Sequence, residues 1–314
     1  MLDLQIKGML EQAAAAGAPD FADLPPVVAR QVYSQILTSM DVAVNDAVDI
    51  SDLSIQGPAG ELNLRCYRPH GLTDPRGAVL YLHGGGFVVG CARDYDGVAS
   101  HLSALSNCLV VQVDYRLAPE SPFPAAVDDC YAALCWLNEH LKELGVMSGS
   151  VAIAGDSAGA CLAAVICLLA RDNGGPNIQH QTLIYPTTSA VETRFNSYQQ
   201  YGEGYTLTTR SMGYFMEHYL SGAAEPVDFR LAPLEAEDLS GLPPALILVA
   251  GYDPLRDEGL AYADALLAAG NDATLIEYAG LVHGFISMSG AVSAAGLAVD
   301  QVAAAWRQAF AAVS

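Results

Sequence analysis

Ser150-Val151-Ala152-Ile153-Ala154-Gly155-Asp156-Ser157-Ala158-Gly159-Ala160 runs directly into Cys161-Leu162-Ala163-Ala164-Val165-Ile166-Cys167-Leu168-Leu169-Ala170. The first apolar run is short and reads as a buried strand. The second is longer, lacks Gly and Pro, and reads as a buried helix. At the junction stands Gly155-x-Ser157-x-Gly159. A serine on so tight a turn needs small neighbours, because the flanking backbone crowds its Cβ. Such a turn pushes the hydroxyl out at the carboxyl edge of a sheet and aims the N-terminus of the following helix at it. An ordinary glycine turn with a serine N-cap uses the same residues. Reading Ser157 as a nucleophile therefore requires a base, an acid and oxyanion donors from the rest of the chain, in the right order.

Outward from that junction, strand and helix patterns alternate from residue 77 onward. Ala78 to Leu82 reads as a buried strand, followed by His83-Gly84-Gly85-Gly86-Phe87. A helix is predicted around Val98, Leu102 and Leu105, then a strand over Leu109 to Val113. Val127, Cys130, Leu134, Leu137 and Leu141 repeat at helical spacing. A strand over Gln181 to Tyr185 follows the central helix. The rhythm breaks between Thr187 and about Gly222, a polar and aromatic stretch that suits an inserted lid. It resumes with a strand over Ala245 to Ala250, a helix to Ala269 and a strand over Ala273 to Tyr278. A closing helix places Val302, Trp306, Phe310 and Val313 on one face. Alternating strands and helices with apolar strands predict an α/β fold, a mostly parallel sheet covered on both faces.

The first 45 residues read as helical, with apolar positions Leu2, Ile6 and Leu10, then Val28, Val32 and Ile36. Pro25-Pro26 opens the second segment, where proline is tolerated in a first turn. Two alternating runs, Val48 to Ile55 and Leu62 to Tyr67, flank Gly57-Pro58-Ala59-Gly60 and predict a hairpin. The expected division is N-terminal cap helices over 1–45 and a catalytic domain over 46–314, with a cap insertion at about 187–222.

The chain has 314 residues and a net charge of −21, enough for one large core under an acidic surface. That charge argues against nucleic acid, anionic membranes and phosphorylated substrates as partners. The run from Cys161 to Ala170 is too short to span a bilayer. No secretory pattern is visible at Met1 to Lys7, so a cytoplasmic location is expected. The seven cysteines form no CxxC or His/Cys cluster, and buried free thiols are expected rather than a zinc site.

Seven histidines compete for the role of base. His101 and His140 fall in helical segments and are expected at surfaces. His180 starts a strand, His218 lies in the lid stretch, and His70 sits in a Pro-His-Gly turn. His283 follows the last predicted strand in Gly280-Leu281-Val282-His283-Gly284-Phe285, where catalytic groups gather at the carboxyl end of a parallel sheet. Asp253 follows the strand ending Val249-Ala250-Gly251-Tyr252 and is the expected acid, accepting the imidazole N–H. Asp257 and Glu258 fall in the next helix's first turns, where a carboxylate complements the dipole without catalysis. The order Ser157, Asp253, His283 is that of α/β-hydrolases. His83-Gly84-Gly85-Gly86 follows the strand expected beside the nucleophile strand. Its glycines can turn two N–H groups toward the oxyanion, joined by that of Ala158. A phosphate-binding glycine loop is excluded, since neither GxGxxG with a downstream carboxylate nor Gly-Lys-Ser/Thr is present. His83 reads as a brace for the loop.

Six motifs in register carry a resemblance to the bacterial hormone-sensitive-lipase-like carboxylesterases. They are His83-Gly84-Gly85-Gly86-Phe87, Asp114-Tyr115-Arg116-Leu117-Ala118-Pro119-Glu120, Phe123-Pro124-Ala125-Ala126, Gly155-Asp156-Ser157-Ala158-Gly159, Asp253-Pro254-Leu255-Arg256-Asp257 and His283-Gly284-Phe285. The resemblance implies the α/β-hydrolase fold with a helical cap, and Gly85, Gly86 and Ala158 as oxyanion donors. It implies a small-molecule ester substrate with no cofactor and no metal, and it allows a homodimer. Asp156 and the Tyr115-Arg116 segment are expected to orient loops and to take no chemical step. Phe87, Leu255, Val282, Phe285, Tyr205 and Phe215 either line an apolar pocket or pack as core. Amide or lactone cleavage on the same three residues, and a non-catalytic receptor on the same scaffold, stand as alternatives. The receptor is disfavoured because the histidine is present.

Overall fold

The structure is a computed structural model and describes residues 1–146, 150–189, 194–221 and 228–311. Val48–Gly57 and Gly60–Pro69 form an antiparallel hairpin, β1 and β2, turning at Pro58-Ala59. Four short strands follow: β3 (Ala78–Leu82), β4 (Leu109–Val113), β5 (Val151–Asp156) and β6 (Ile178–Ile184). Two longer ones, β7 (Ala245–Tyr252) and β8 (Ala273–Val282), complete a sheet of order β1-β2-β4-β3-β5-β6-β7-β8. From β3 to β8 every pairing is parallel, while the hairpin adds two antiparallel strands at one edge. Every residue of β3, β4 and β5 is buried, the pattern required of strands covered on both faces.

The period of two sorts the strand residues between two cores. Leu80, Leu82, Ile153, Ile247 and Val249 face α4 (Ala125–His140), α5 (Ala158–Asp172) and α8 (Arg256–Ala268). Val79, Tyr81, Ala152, Ala154, Leu246 and Leu248 face α3 (Asp96–Ser106) and α9 (Ser293–Ala311). α5 is apolar all round, and 12 of its 15 residues are buried, so it runs through the interior rather than over it. The expected α/β fold is borne out.

Four further helices lie at the carboxyl side of the sheet or at its margin. α1 (Leu4–Ala15) is capped by Asp3, whose Oδ1 accepts the N–H of Gln5 at 2.8 Å. α2 (Pro26–Met40) begins with the proline that its first turn tolerates. α6 (Asn196–Tyr201) and α7 (Thr209–Leu220) fall in the polar, aromatic stretch. The segment before α2 meets α7: Asp20 accepts from Thr208 Oγ1 at 2.6 Å and Ser211 Oγ at 2.9 Å, and the Phe21 and Phe215 rings lie 5.8 Å apart. No helix among the described residues is long and apolar enough to cross a membrane.

Several local expectations are corrected. α2 does not turn Val28 and Ile36 inward. Both are 40% exposed, and the face seated on the protein carries Arg30, Tyr33, Ser34 and buried Leu37. Its inner neighbours are loop carbonyls and side chains, so polar residues fit there. Leu105 likewise turns outward, while Val98 and Leu102 are buried. β8 continues past Tyr278 to Val282, because Leu281 and Val282 dive into the core after an edge of alternating exposure. His101 and His140 are half-buried at the surface, donating to Ala43 O at 3.1 Å and Trp136 O at 2.8 Å. Five cysteines are buried, but Cys91 and Cys135 are half-buried. Val302, Trp306 and Phe310 are buried on α9, whereas Val313, residues 190–193 and Gly222 lie outside the described residues.

Candidate active site

Ser157 stands between β5 and α5 with φ 54° and ψ −120°, a left-handed conformation that an L-residue adopts only under constraint. The constraint is packing. A Cβ on Gly155 would stand 2.3 Å from Gly159 O, and one on Gly159 would stand 1.9 Å from Leu82 O. Only glycine lets the strand, the turn and the neighbouring β3 approach so closely. The Ser157 N–H donates to Ile184 O at 2.8 Å, pinning the turn to β6. The side chain is left half-buried at the carboxyl edge of the sheet.

His283, the first residue past β8, places Nε2 2.8 Å from Ser157 Oγ. Its Nδ1 lies 2.7 Å from Asp253 Oδ2. Nδ1–H donates to the carboxylate, which leaves the Nε2 lone pair facing the serine hydroxyl. Asp253 is fully buried at the end of β7, and its other oxygen accepts the Leu255 N–H at 2.9 Å. The imidazole also packs against Tyr185, with ring centroids 4.6 Å apart, and its backbone carbonyl accepts from Thr206 Oγ1 at 2.8 Å. The structure thus brings together the three side chains singled out in the sequence, from the ends of three parallel strands.

On the β3 side, His83-Gly84-Gly85-Gly86 curls over the elbow. Gly85 and Gly86 take φ +115° and +59°, and a Cβ on Gly85 would sit 2.1 Å from Val89 O. Among the described residues, no protein acceptor takes the N–H of Gly85 or Gly86. Ala158 opens α5, where an N–H has no intrahelical partner. His83 is buried and neutral, its pKa pushed down by desolvation. Its Nδ1–H donates to Gly84 O at 2.7 Å and its ring stacks on Tyr115 at 4.3 Å. It braces the loop, as its position in the sequence suggests. Arg116 fixes the following segment through a bidentate pair with Asp129, both contacts 2.8 Å.

Asp156 lies beneath this loop, buried and ringed by donors. Oδ1 accepts from Gly84 N at 3.0 Å and Tyr81 OH at 3.1 Å, and Oδ2 from Tyr95 OH at 3.3 Å. Burial lifts its pKa to about 6 against those donors. The expected orienting role matches these contacts, but the sequence carries no mark of the tyrosines' part in them. Tyr81, Tyr95 and Tyr185 sit at apolar-patterned positions, and only their hydroxyl partners reveal what they do.

Glu258 departs furthest from expectation. It does not simply complement the α8 dipole: it is fully buried, accepting from Thr188 N at 3.0 Å and Tyr198 OH at 3.1 Å. Burial pushes its pKa up to about 8, with the nearby Asp253 charge adding to the rise. Asp257, beside it, accepts the Ser197 N–H at 3.0 Å. Both acids tie α6 and the segment before it to the start of α8. A carboxylate two residues into a helix gives no sequence signal for such a role.

The six apolar candidates divide. Leu255, Val282 and Phe285 are core, with Phe285 edge-on to Tyr185 at 5.0 Å. Phe87 stacks on Tyr219 at 3.9 Å. Phe215 packs over Gly86, where a Cβ would meet its ring at 2.4 Å. Tyr205 is half-buried against Tyr201 and Tyr252, at 5.8 and 5.5 Å.

Known proteins share this fold. A family model described as the alpha/beta hydrolase fold matches residues 79–287. The chain is 43% identical over 304 residues to the carboxylic ester hydrolase LipN of Mycobacterium tuberculosis, covering 94% of this chain and 80% of that protein. It is 38% identical over 266 residues to an ethyl acetate hydrolase of Pseudomonas putida, covering 82% of each. An ester hydrolase from the metagenome of Lake Arreo, solved with a bipyridine phosphonate derivative, superposes with a TM-score of 0.94 at 38% identity. That match covers 99% of this chain and 100% of the other. An esterase of Pyrobaculum calidifontis gives a TM-score of 0.90 at 37% identity, covering all of both chains. The chain belongs to the hormone-sensitive-lipase-like carboxylesterase family of the α/β-hydrolase fold.

Proposed function

We propose that this protein is a carboxylesterase acting on short- to medium-chain esters of small molecules, with Ser157 as nucleophile, His283 as base and Asp253 as acid. The observation that carries this reading is the continuous chain of short hydrogen bonds, 2.7 Å from Asp253 to His283 and 2.8 Å from His283 to Ser157. It ends on a hydroxyl beside backbone N–H groups. His283 Nε2 takes the Ser157 proton as Oγ attacks the ester carbonyl carbon. The C=O electron pair moves to oxygen, and the N–H groups of Gly85, Gly86 and Ala158 hold that oxyanion. Collapse breaks the C–O bond to the alcohol, which leaves with the proton from His283. Water, deprotonated by the same nitrogen, then cleaves the acyl-enzyme and restores Ser157. Asp253 fixes the reactive tautomer throughout and offsets the imidazolium charge.

The cap is formed by α1 and α2 with α6 and α7, over a catalytic domain comprising the rest of the chain from residue 46. The contacts of Asp20 and Phe21 with α7 support that division. A roof of this kind favours short acyl groups over emulsified triglyceride. Seven free thiols support a reducing, cytoplasmic setting, and the charge of −21 disfavours nucleic acid and anionic membranes. A p-nitrophenyl ester series of increasing chain length tests the reading, with an anilide and a lactone alongside. Fastest turnover is expected with butyrate or shorter esters. Faster cleavage of palmitate emulsions, or of the anilide, would contradict it.

A further inference from the structure

α2 lies ahead of the matched family region, yet its inner face grips the loop that carries the oxyanion donors. Arg30, Tyr33, Ser34 and Leu37 recur at helical spacing on that face. Arg30 Nε donates to Val88 O at 2.8 Å, and Nη2 donates to Ala118 O at 2.9 Å. Val88 N and Val89 N in turn donate to Gly85 O, at 3.1 and 2.9 Å. Ser34 Oγ donates to Asp94 Oδ1 at 2.6 Å, whose other oxygen accepts the Cys91 N–H at 3.2 Å.

The decisive contact is Tyr33, whose hydroxyl stands 2.9 Å from that of Tyr95. Tyr95 gives its one proton to Asp156 Oδ2 at 3.3 Å, and its oxygen accepts the Gly84 N–H at 3.1 Å. Tyr33 is therefore the donor to Tyr95. A row of hydrogen bonds runs from α2 through Tyr95 to the amide of Gly84, one residue before the first oxyanion donor. Gly84 N is also held by Asp156, the neighbour of the nucleophile. Shape alone does not explain this row, because phenylalanine at 33 and 95 would fill the same space.

Resting on the ester-hydrolase reading of Ser157, we propose that Tyr33 and Arg30 are positioning residues that set the backbone of Gly84 to Gly86 for transition-state binding. Substrate enclosure and oxyanion stabilisation are then coupled, since one helix contributes to the roof and fixes the loop below it. Loosening that loop lowers kcat rather than substrate affinity, because the donors engage the oxyanion and not the ground-state ester.

The test is steady-state hydrolysis of p-nitrophenyl butyrate by wild type, Tyr33→Phe, Arg30→Lys, Tyr95→Phe and the Tyr33→Phe/Tyr95→Phe pair. Val27→Ser, on the exposed face of α2, is the control. For Tyr33→Phe, kcat is expected to fall about ten-fold with KM nearly unchanged, below the hundred-fold typical of losing a whole donor. The affinity of a trifluoromethyl ketone, whose hemiketal oxyanion takes the same donors, should fall by the same factor. A merely destabilised enzyme would lose active fraction but keep that affinity. The double variant should be no slower than Tyr95→Phe alone, as both act through one row. Folded Tyr33→Phe and Arg30→Lys enzymes with wild-type kcat and ketone affinity would overturn the proposal. If Tyr33→Phe does not fold, Arg30→Lys decides. Full activity in Ser157→Ala would instead remove the ester-hydrolase reading itself.

Discussion

The floor and the roof of this site are built by opposite rules. Below Ser157, strands of Val, Ile, Leu and Ala are buried on both faces, and glycines at 155 and 159 leave no room for a methyl group. Above it, α2, α6 and α7 are seated by hydroxyls, guanidinium groups and carboxylates, many of them half-exposed. The floor is fixed by close packing, which tolerates almost no change. The roof is fixed by replaceable polar contacts, each of modest net strength. Away from the α2 contacts that hold the oxyanion loop, a chain of this design can alter what it admits without disturbing the chemistry beneath.

Substitutions in the floor should therefore be all-or-none. Gly159→Ala forces a Cβ to 1.9 Å from Leu82 O and is expected to cost about 4 kcal/mol or more. Its urea midpoint checks this, and a midpoint near wild type would mean that β3 can yield. Ser157→Ala keeps the fold but should lower kcat by about ten thousand-fold or more. Residual activity at wild-type level would place the nucleophile elsewhere.

Substitutions at the seam between roof and floor, and within the roof, should give graded effects. Glu258 has a folded pKa of about 8 against an ordinary 4.5, so the native state holds a proton that the unfolded chain has released between those values. Folding takes up that proton, and its contribution to stability is lost as pH rises from about 4.5 to about 8. Glu258→Gln keeps acceptor and shape without titrating. Its melting temperature relative to wild type should climb from pH 5 to about pH 8 and level off above, and a flat difference across that range would show that Glu258 is ionised in the native state. The smallest effect belongs to Arg210, whose exposed pair with Asp23 joins α7 to the segment before α2. Arg210→Ala should leave the melting temperature and kcat unchanged within error.

Legibility in the sequence follows the same divide. The parallel sheet, the elbow at Ser157 and the placement of Asp253 and His283 could be read because buried strands and glycine turns leave local, periodic marks. α2 misled for a physical reason. Val28, Val32 and Ile36 form the apolar stripe, but the helix rests on loop carbonyls, and Arg30 and Tyr33 satisfy them better than valine would. Glu258 is equally hidden, since its partners Thr188 and Tyr198 lie 70 and 60 residues upstream. Apolar burial writes itself into sequence spacing, whereas a polar contact between distant loops does not.

Rapid acid quenching of the enzyme during turnover of p-nitrophenyl acetate, followed by peptide mass spectrometry, addresses the chemistry most directly. An acetyl group on the peptide bearing Ser157, absent from the Ser157→Ala enzyme and formed in a burst before steady state, is the predicted result. Turnover with no acyl group on Ser157, or with one at another residue, would contradict it.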